Sequence, residues 1–121
     1  MTTSRQALGR WGEAIAAGFL ENKGYIIIER NCRTPYGEID IVAKDGAVLV
    51  FVEVKTRTSD VYGFPEESIT SQKREHLISA AQAILQSIAN YPSSWRIDVI
   101  AIRKVKSADQ PEIVHFKNAV N

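Results

Sequence analysis

Leu8, Trp11, Ile15 and Phe19 recur at helical spacing near the start of the chain, and they form the apolar stripe of a predicted first helix. Thr3 or Ser4 suits its cap, and Gly24 ends it after about Lys23. From Tyr25 to Asn31 β-branched residues take over, and the segment reads as a strand. GEIDIVAKDGAVLVFVEVKTR, Gly37 to Arg57, then reads as two strands joined at Asp45-Gly46 by a two-residue turn of the primed type. Ser59 to Pro65, with Tyr62-Gly63-Phe64-Pro65, marks a loop. A second helix is predicted from Thr70 or Ser71 to near Asn90, with Leu77, Ala81, Ile84, Leu85 and Ile88 on one face. Pro92 and two serines break the chain, Trp95 to Arg103 is another strand, Ser107 to Pro111 a loop, and Ile113 to Lys117 a short last strand. The strand–helix–strand passage implies a right-handed crossover and a mixed sheet. The predicted order is α-β-β-β-α-β-β, an α/β fold.

The hairpin carries the candidate chemistry. With Asp45 and Gly46 as the loop, Lys44 pairs with Ala47 and Asp40 falls opposite Phe51. Asp40 then shares a face with Leu49, Phe51, Glu53 and Lys55, because opposed residues share a face and side chains alternate. Glu53 becomes its diagonal neighbour, with Cα atoms roughly 7 Å apart. The other face, Ile39, Ile41, Val48, Val50, Val52 and Val54, is wholly apolar. Two carboxylates in a partly buried place repel and lose solvation, so something positive should compensate. Lys55 serves in part. A divalent cation serves better, because hard oxygen ligands suit Mg²⁺ or Mn²⁺. Such an ion beside a lysine is the arrangement of a hydrolytic phosphodiesterase site. The competing reading of Glu53-Val54-Lys55 is a solvated ion pair on a strand.

Composition narrows the picture in three ways. The chain has 121 residues with 45% apolar and 24% charged, values that suit one globular domain with its own core. A formal net charge of +1 excludes a global basic field, so nucleic-acid binding would need a local patch. Cys32 is the only cysteine, which excludes an internal disulfide and a multi-cysteine zinc site. No apolar run is long enough to span a membrane and the N-terminus lacks a secretory pattern, so the expected location is the cytoplasm, with no membrane partner. His76 and His115 lack zinc-site spacing and read as surface or core histidines.

Asp40 followed by Glu53-Val54-Lys55 on the next strand resembles the core motif of the PD-(D/E)XK nuclease superfamily. The fuller pattern is closer to the YraN-like proteins, a bacterial family similar to archaeal Holliday-junction resolvases. The stretches that carry it are Gly12-Glu13, Arg30-Asn31-Cys32-Arg33, Gly37-Glu38-Ile39-Asp40, Phe51-Val52-Glu53-Val54-Lys55, Lys73 and Arg96-Ile97-Asp98-Val99. Together they span nearly the whole chain. The proline of the superfamily's name is replaced here by Ile39.

The resemblance implies a restriction-endonuclease-like core over residues 1–121, acting as a Mg²⁺- or Mn²⁺-dependent endonuclease on nucleic acid, DNA and branched DNA being the expected substrates. It implies Asp40 and Glu53 as metal ligands, the Val54 carbonyl as a third, and a helical Glu, here Glu13, completing the set. Lys55 would orient the attacking water or stabilise transition-state charge. Helical geometry sets Glu13 roughly 140° from the centre of the predicted stripe, at its border, with Gly9 and Ala16 leaving room for the sheet. Arg10, Arg30, Arg33, Arg57, Gln72, Lys73 and Arg74 are the candidates for a phosphate-binding rim; a solvated surface explains any one of them equally well. Glu38 reads as a further ligand or as the solvated start of a strand, and Asp98 as a structural partner of Arg96. Analogy with the resolvases suggests a homodimer. Two other readings stay open: a nucleic-acid-binding module of the same fold that does not cut, and a structural protein whose carboxylates only form ion pairs.

Overall fold

The computed structural model describes residues 3–58, 69–88, 92, 94–105 and 108–120. Helix α1 covers Ser4–Asn22 and is opened by a reciprocal cap: Gln6 N donates to Thr3 Oγ1 at 3.1 Å and Thr3 N to Gln6 Oε1 at 3.0 Å. It stops at Lys23, and Gly24 turns the chain with φ +92°, a conformation glycine adopts without steric cost. Strands β1 (Ile26–Thr34), β2 (Gly37–Asp45) and β3 (Val48–Thr58) follow, then α2 (Ser71–Ser87), β4 (Trp95–Lys104) and β5 (Glu112–Val120). The order is the expected α-β-β-β-α-β-β. The last strand is longer than predicted, and the expected Tyr62–Pro65 loop lies outside the described residues.

The five strands form one mixed sheet in the order β1-β2-β3-β4-β5. Only β3 and β4 are parallel, and α2 connects them. Leu49 to Val52 and Ile97 to Ile102 are buried throughout, with Asp98 the one polar residue among them, as strands covered on both faces should be. One face packs Ala16, Ala17 and Leu20 of α1 on Ile41, Val50, Val52, Ile100 and Ile102. The other packs Leu77, Ala80, Ala81 and Leu85 of α2 on Ile39, Val42, Phe51 and Ile97. This three-layer arrangement is consistent with a restriction-endonuclease-like core.

Three local expectations need correction, and each matters to the site. First, the β2–β3 turn is Gly46-Ala47, because Asp45 pairs with Val48. Gly46 alone of the two is left-handed, with φ +60°. Lys44 therefore faces Leu49 and Ile41 faces Val52. The shift is two positions along β3, so faces are preserved, but continuing the register brings Asp40 across from Glu53 rather than Phe51. Second, Ile39 packs with Val42 on the α2 side while Ile41 packs on the α1 side. Regular alternation fails at Asp40.

Third, the deepest residues of α1 are Gly12, Ala16, Ala17 and Leu20, with Trp11, Ile15 and Phe19 packed beside them. Small residues let the helix axis approach the sheet: a Cβ at Gly12 would overlap the Thr56 hydroxyl. Gly9 has open space where its Cβ would be and plays no part in that contact. At about 100° per residue, the true buried centre lies only roughly 40° from Glu13. Glu13 belongs to the sheet-facing side.

Candidate metal centre

The sheet opens where β1, β2 and β3 pass Asp40. On the β1 side Arg30 pairs with Ile41 and Cys32 with Ile39, while Asn31 between them has φ +54°. An Asn tolerates the left-handed region better than most residues, and inside a strand it diverts the chain. On the β3 side the pairs run from Asp45–Val48 to Ile41–Val52 and go no further. Instead of a backbone rung, Asp40 Oδ2 accepts a hydrogen bond from Val54 N at 2.8 Å. The side chain thus takes a place in the ladder, which fixes one carboxylate oxygen and leaves the other free to turn into the opening.

Side chains from five elements, α1, β1, β2, β3 and α2, meet there. Glu13 of α1, Glu38 and Asp40 of β2 each offer a carboxylate oxygen, all within 4.8 Å of one another. With its amide nitrogen turned toward them, Asn31 donates to Glu13 Oε1 at 2.8 Å and to Glu38 Oε1 at 3.0 Å. Arg33 stands 3.7 Å from Glu38, although both are well exposed. Glu53, only 7% exposed, lies beside the group and holds two ammonium groups: Lys73 Nζ at 3.5 Å and Lys55 Nζ at 3.7 Å. Glu13, Asp40, Glu53 and Val54 all line one pocket of about 540 Å³.

The charge balance is uneven across this cluster. Burial and then the Glu53 charge push Asp40 up to about 7; the Val54 N–H offsets this in part, and Glu13 and Glu38 add to it. Glu13 is also raised, chiefly by burial, against the hydrogen bond from Asn31. The lysines sit on Glu53, whereas Asp40 has no ion-pair partner among the described residues. The donor set is all oxygen and anionic, which suits a hard divalent cation.

The remaining candidates are placed as follows. Lys73 is drawn onto Glu53 from the first turn of α2, while Gln72 and Arg74 are exposed there. Arg10, Arg30 and Arg33 are exposed, and of the three Arg30 lies close enough to Glu13 to favour its charged form. Arg57 lines the pocket, joined by Arg5, which the sequence did not single out. Glu38, read as a further ligand or as the solvated start of a strand, is exposed and lies within reach of Glu13 and Asp40. Asn31 carried one legible signal, a left-handed-tolerant residue inside a β-branched run.

A second acidic group lies elsewhere in the sheet. Asp98, fully buried, accepts from Arg96 Nε at 3.0 Å and Asn118 N at 2.8 Å, and its Oδ2 lies 2.7 Å from His115 Nε2. His115 Nδ1 lies 3.3 Å from Lys23 Nζ, so the ring accepts there and donates from Nε2 to Asp98. Arg96 also donates to the Tyr25 hydroxyl at 2.8 Å. Asp98 is held low against burial by His115, the Asn118 amide and Arg96. It pairs with Arg96, as expected of a structural residue.

Residues 12–102 match the family described as "Uncharacterised protein family UPF0102", a span that includes Glu13, Asn31, Glu38, Asp40, Glu53 and Lys55. The UPF0102 protein of Syntrophotalea carbinolica is 45% identical over 119 residues, 98% of this chain and 95% of the relative. That of Roseiflexus castenholzii is 46% identical over 122 aligned positions, 99% and 98% of the two chains. That of Dehalococcoides mccartyi is 41% identical over 122, with the same coverage. With identity of this level running from end to end, the chain belongs to the UPF0102 family.

Proposed function

We propose that this protein is a metal-dependent phosphodiesterase acting on nucleic acid, with DNA as the expected substrate. The observation that carries the reading is the convergence of Glu13, Glu38 and Asp40 within 4.8 Å, next to Glu53 and its lysines. These carboxylates would hold Mg²⁺ or Mn²⁺, the Val54 carbonyl being a further donor available from the same strand. A cation bound there supplies Lewis-acid activation of water and neutralises phosphate charge. Asp40, fixed through Val54 N, sets the position of the donor group. Asn31 keeps Glu13 and Glu38 turned inward from two different elements. Glu53 lines the pocket and holds the Lys55 ammonium 3.7 Å away, from where Lys55 would orient water or meet charge developing on the phosphate. The resemblance to the PD-(D/E)XK superfamily supports the same reading.

The two lysines on Glu53 favour a different reading, a structural protein with ion pairs only. That reading leaves Asp40, pushed up to about 7 with no ion-pair partner among the described residues, without a reason. The test combines cleavage of linear, flapped and four-way DNA in Mg²⁺ and Mn²⁺ with a metal titration followed by thermal unfolding. We expect saturable stabilisation by Mg²⁺ that Asp40→Asn abolishes, and a cleavage rate at least about a hundredfold lower in the same variant. Absence of both metal-dependent stabilisation and cleavage of any of the DNAs refutes the proposal. Saturable metal binding without cleavage points to the non-cutting module.

A further inference from the structure

The pocket extends well past the carboxylates. Along α1 it is lined by Glu13, Gly9 and Arg5, and along β3 by Glu53, Val54 and Arg57. Arg5 lies eight residues from Glu13, about 12 Å at the helical rise. Arg57 lies four residues from Glu53, about 13 Å at the strand rise. One cavity therefore offers carboxylates in one part and guanidinium groups at a similar distance along both of its walls. Arg57 Nη1 donates to the Thr56 carbonyl at 3.0 Å, which orients its fork. Neither arginine pairs with a carboxylate among the described residues. Between the charged groups, Gly9 leaves the floor open: a Cβ there would meet nothing within 4 Å.

We infer that this pocket is a strand-binding groove, in which Arg5 and Arg57 grip backbone phosphates of a nucleic-acid strand whose reacting phosphate lies at the carboxylates. The placement of the reacting phosphate rests on the function proposed above; the grip on the strand does not. Successive phosphates of one strand advance at least about 3.4 Å along its direction, so 12–13 Å is more than one step and at most about four. A mononucleotide or an inorganic phosphate is too short to engage both parts. The ligand class is thus an oligonucleotide, held by its backbone, with no base-reading element required. Arg5, absent from the first set of candidates, becomes a binding residue, and Gly9 the position that keeps the groove passable.

The test is equilibrium binding of fluorescein-labelled single strands of two and of eight nucleotides, read by anisotropy in EDTA so that no turnover interferes. The full chain is used throughout, as wild type, Arg5→Gln, Arg57→Gln and Gly9→Leu. The longer strand should bind wild type at least about tenfold more tightly than the shorter one. Each arginine variant should weaken the longer strand several-fold and reduce its salt slope by about one. Gly9→Leu should weaken the longer strand at least as much with an unchanged or higher Tm, since leucine favours the helix and meets open space. Equal affinity for the two strand lengths overturns the inference. So does full binding of the longer strand by a folded Gly9→Leu variant. A protein that binds by length as described but cleaves nothing in Mg²⁺ or Mn²⁺ would refute the phosphodiesterase reading and leave the groove standing.

Discussion

Asp40 and Asp98 are the same residue type in one sheet, and their surroundings treat them in opposite ways. Asp98 is fully buried, and burial alone would raise it; His115, the Asn118 amide and Arg96 reverse that and hold it low. Asp40 is half-buried and receives one backbone N–H, while the nearby charges of Glu53, Glu13 and Glu38 all push it the same way, up to about 7. Burial pushes both upward, so the donors and charges around each decide the direction: a carboxylate whose charge is met by donors is a fastening, and one whose charge is left unmet has room for a cation.

The largest test of this contrast is to remove each charge in turn. Asp98→Asn should cost about 3–5 kcal/mol, because it strips the anion from a buried Arg96 and turns an amide toward donors it cannot satisfy. Chemical unfolding at neutral pH measures it. A cost below about 1 kcal/mol would show that the network is not a fastening.

Asp40→Asn should do the reverse. In metal-free buffer at pH 8 the variant should be more stable than wild type, on the order of 1–4 kcal/mol. The sign follows from proton binding. Asp40 titrates near 7 in the fold and near 3.9 unfolded, so the folded state holds the extra proton between those values. Wild type thus loses stability relative to the variant as pH rises from about 4 to 7, and the gap levels off above that. Asp98, being lowered, gives the opposite slope: its contribution is present above about 4 and lost as pH falls further. Equal stability of Asp40→Asn and wild type at pH 8 would mean that Asp40 is compensated after all.

The smallest expected effect is at Cys32. Burial pushes its thiol up to about 11, with Glu29 and Glu38 adding to it, so almost no thiolate exists at neutral pH. Cys32→Ser should change DNA cleavage by less than about threefold. A hundredfold loss in a folded variant would reveal a nucleophile that the contrast between the two aspartates overlooks.

The order of elements, the cap at Thr3, the stop at Gly24 and the hairpin from Gly37 to Arg57 were legible along the chain, because caps, turns and periodicity act over a few residues. So was the nearness of Asp40 to Glu53 and of Glu53 to Lys55, although β2 and β3 cease to pair before Asp40. The burial of Glu13 was not: counting large apolar residues pointed to Trp11 and Ile15, while Gly12 and Ala16 make the close contact precisely by lacking bulk. Nor were the kink at Asn31 and Asp40, the recruitment of Glu38, or the pocket that joins Arg5 to Arg57. Asp98 was legible as a partner of Arg96, but its other donors were not. The donors that meet Asp98 come from Arg96, His115 and Asn118, and Lys23 and Tyr25 complete their network. Charge compensation is a sum over atoms close in space, and only the folded chain decides which atoms those are.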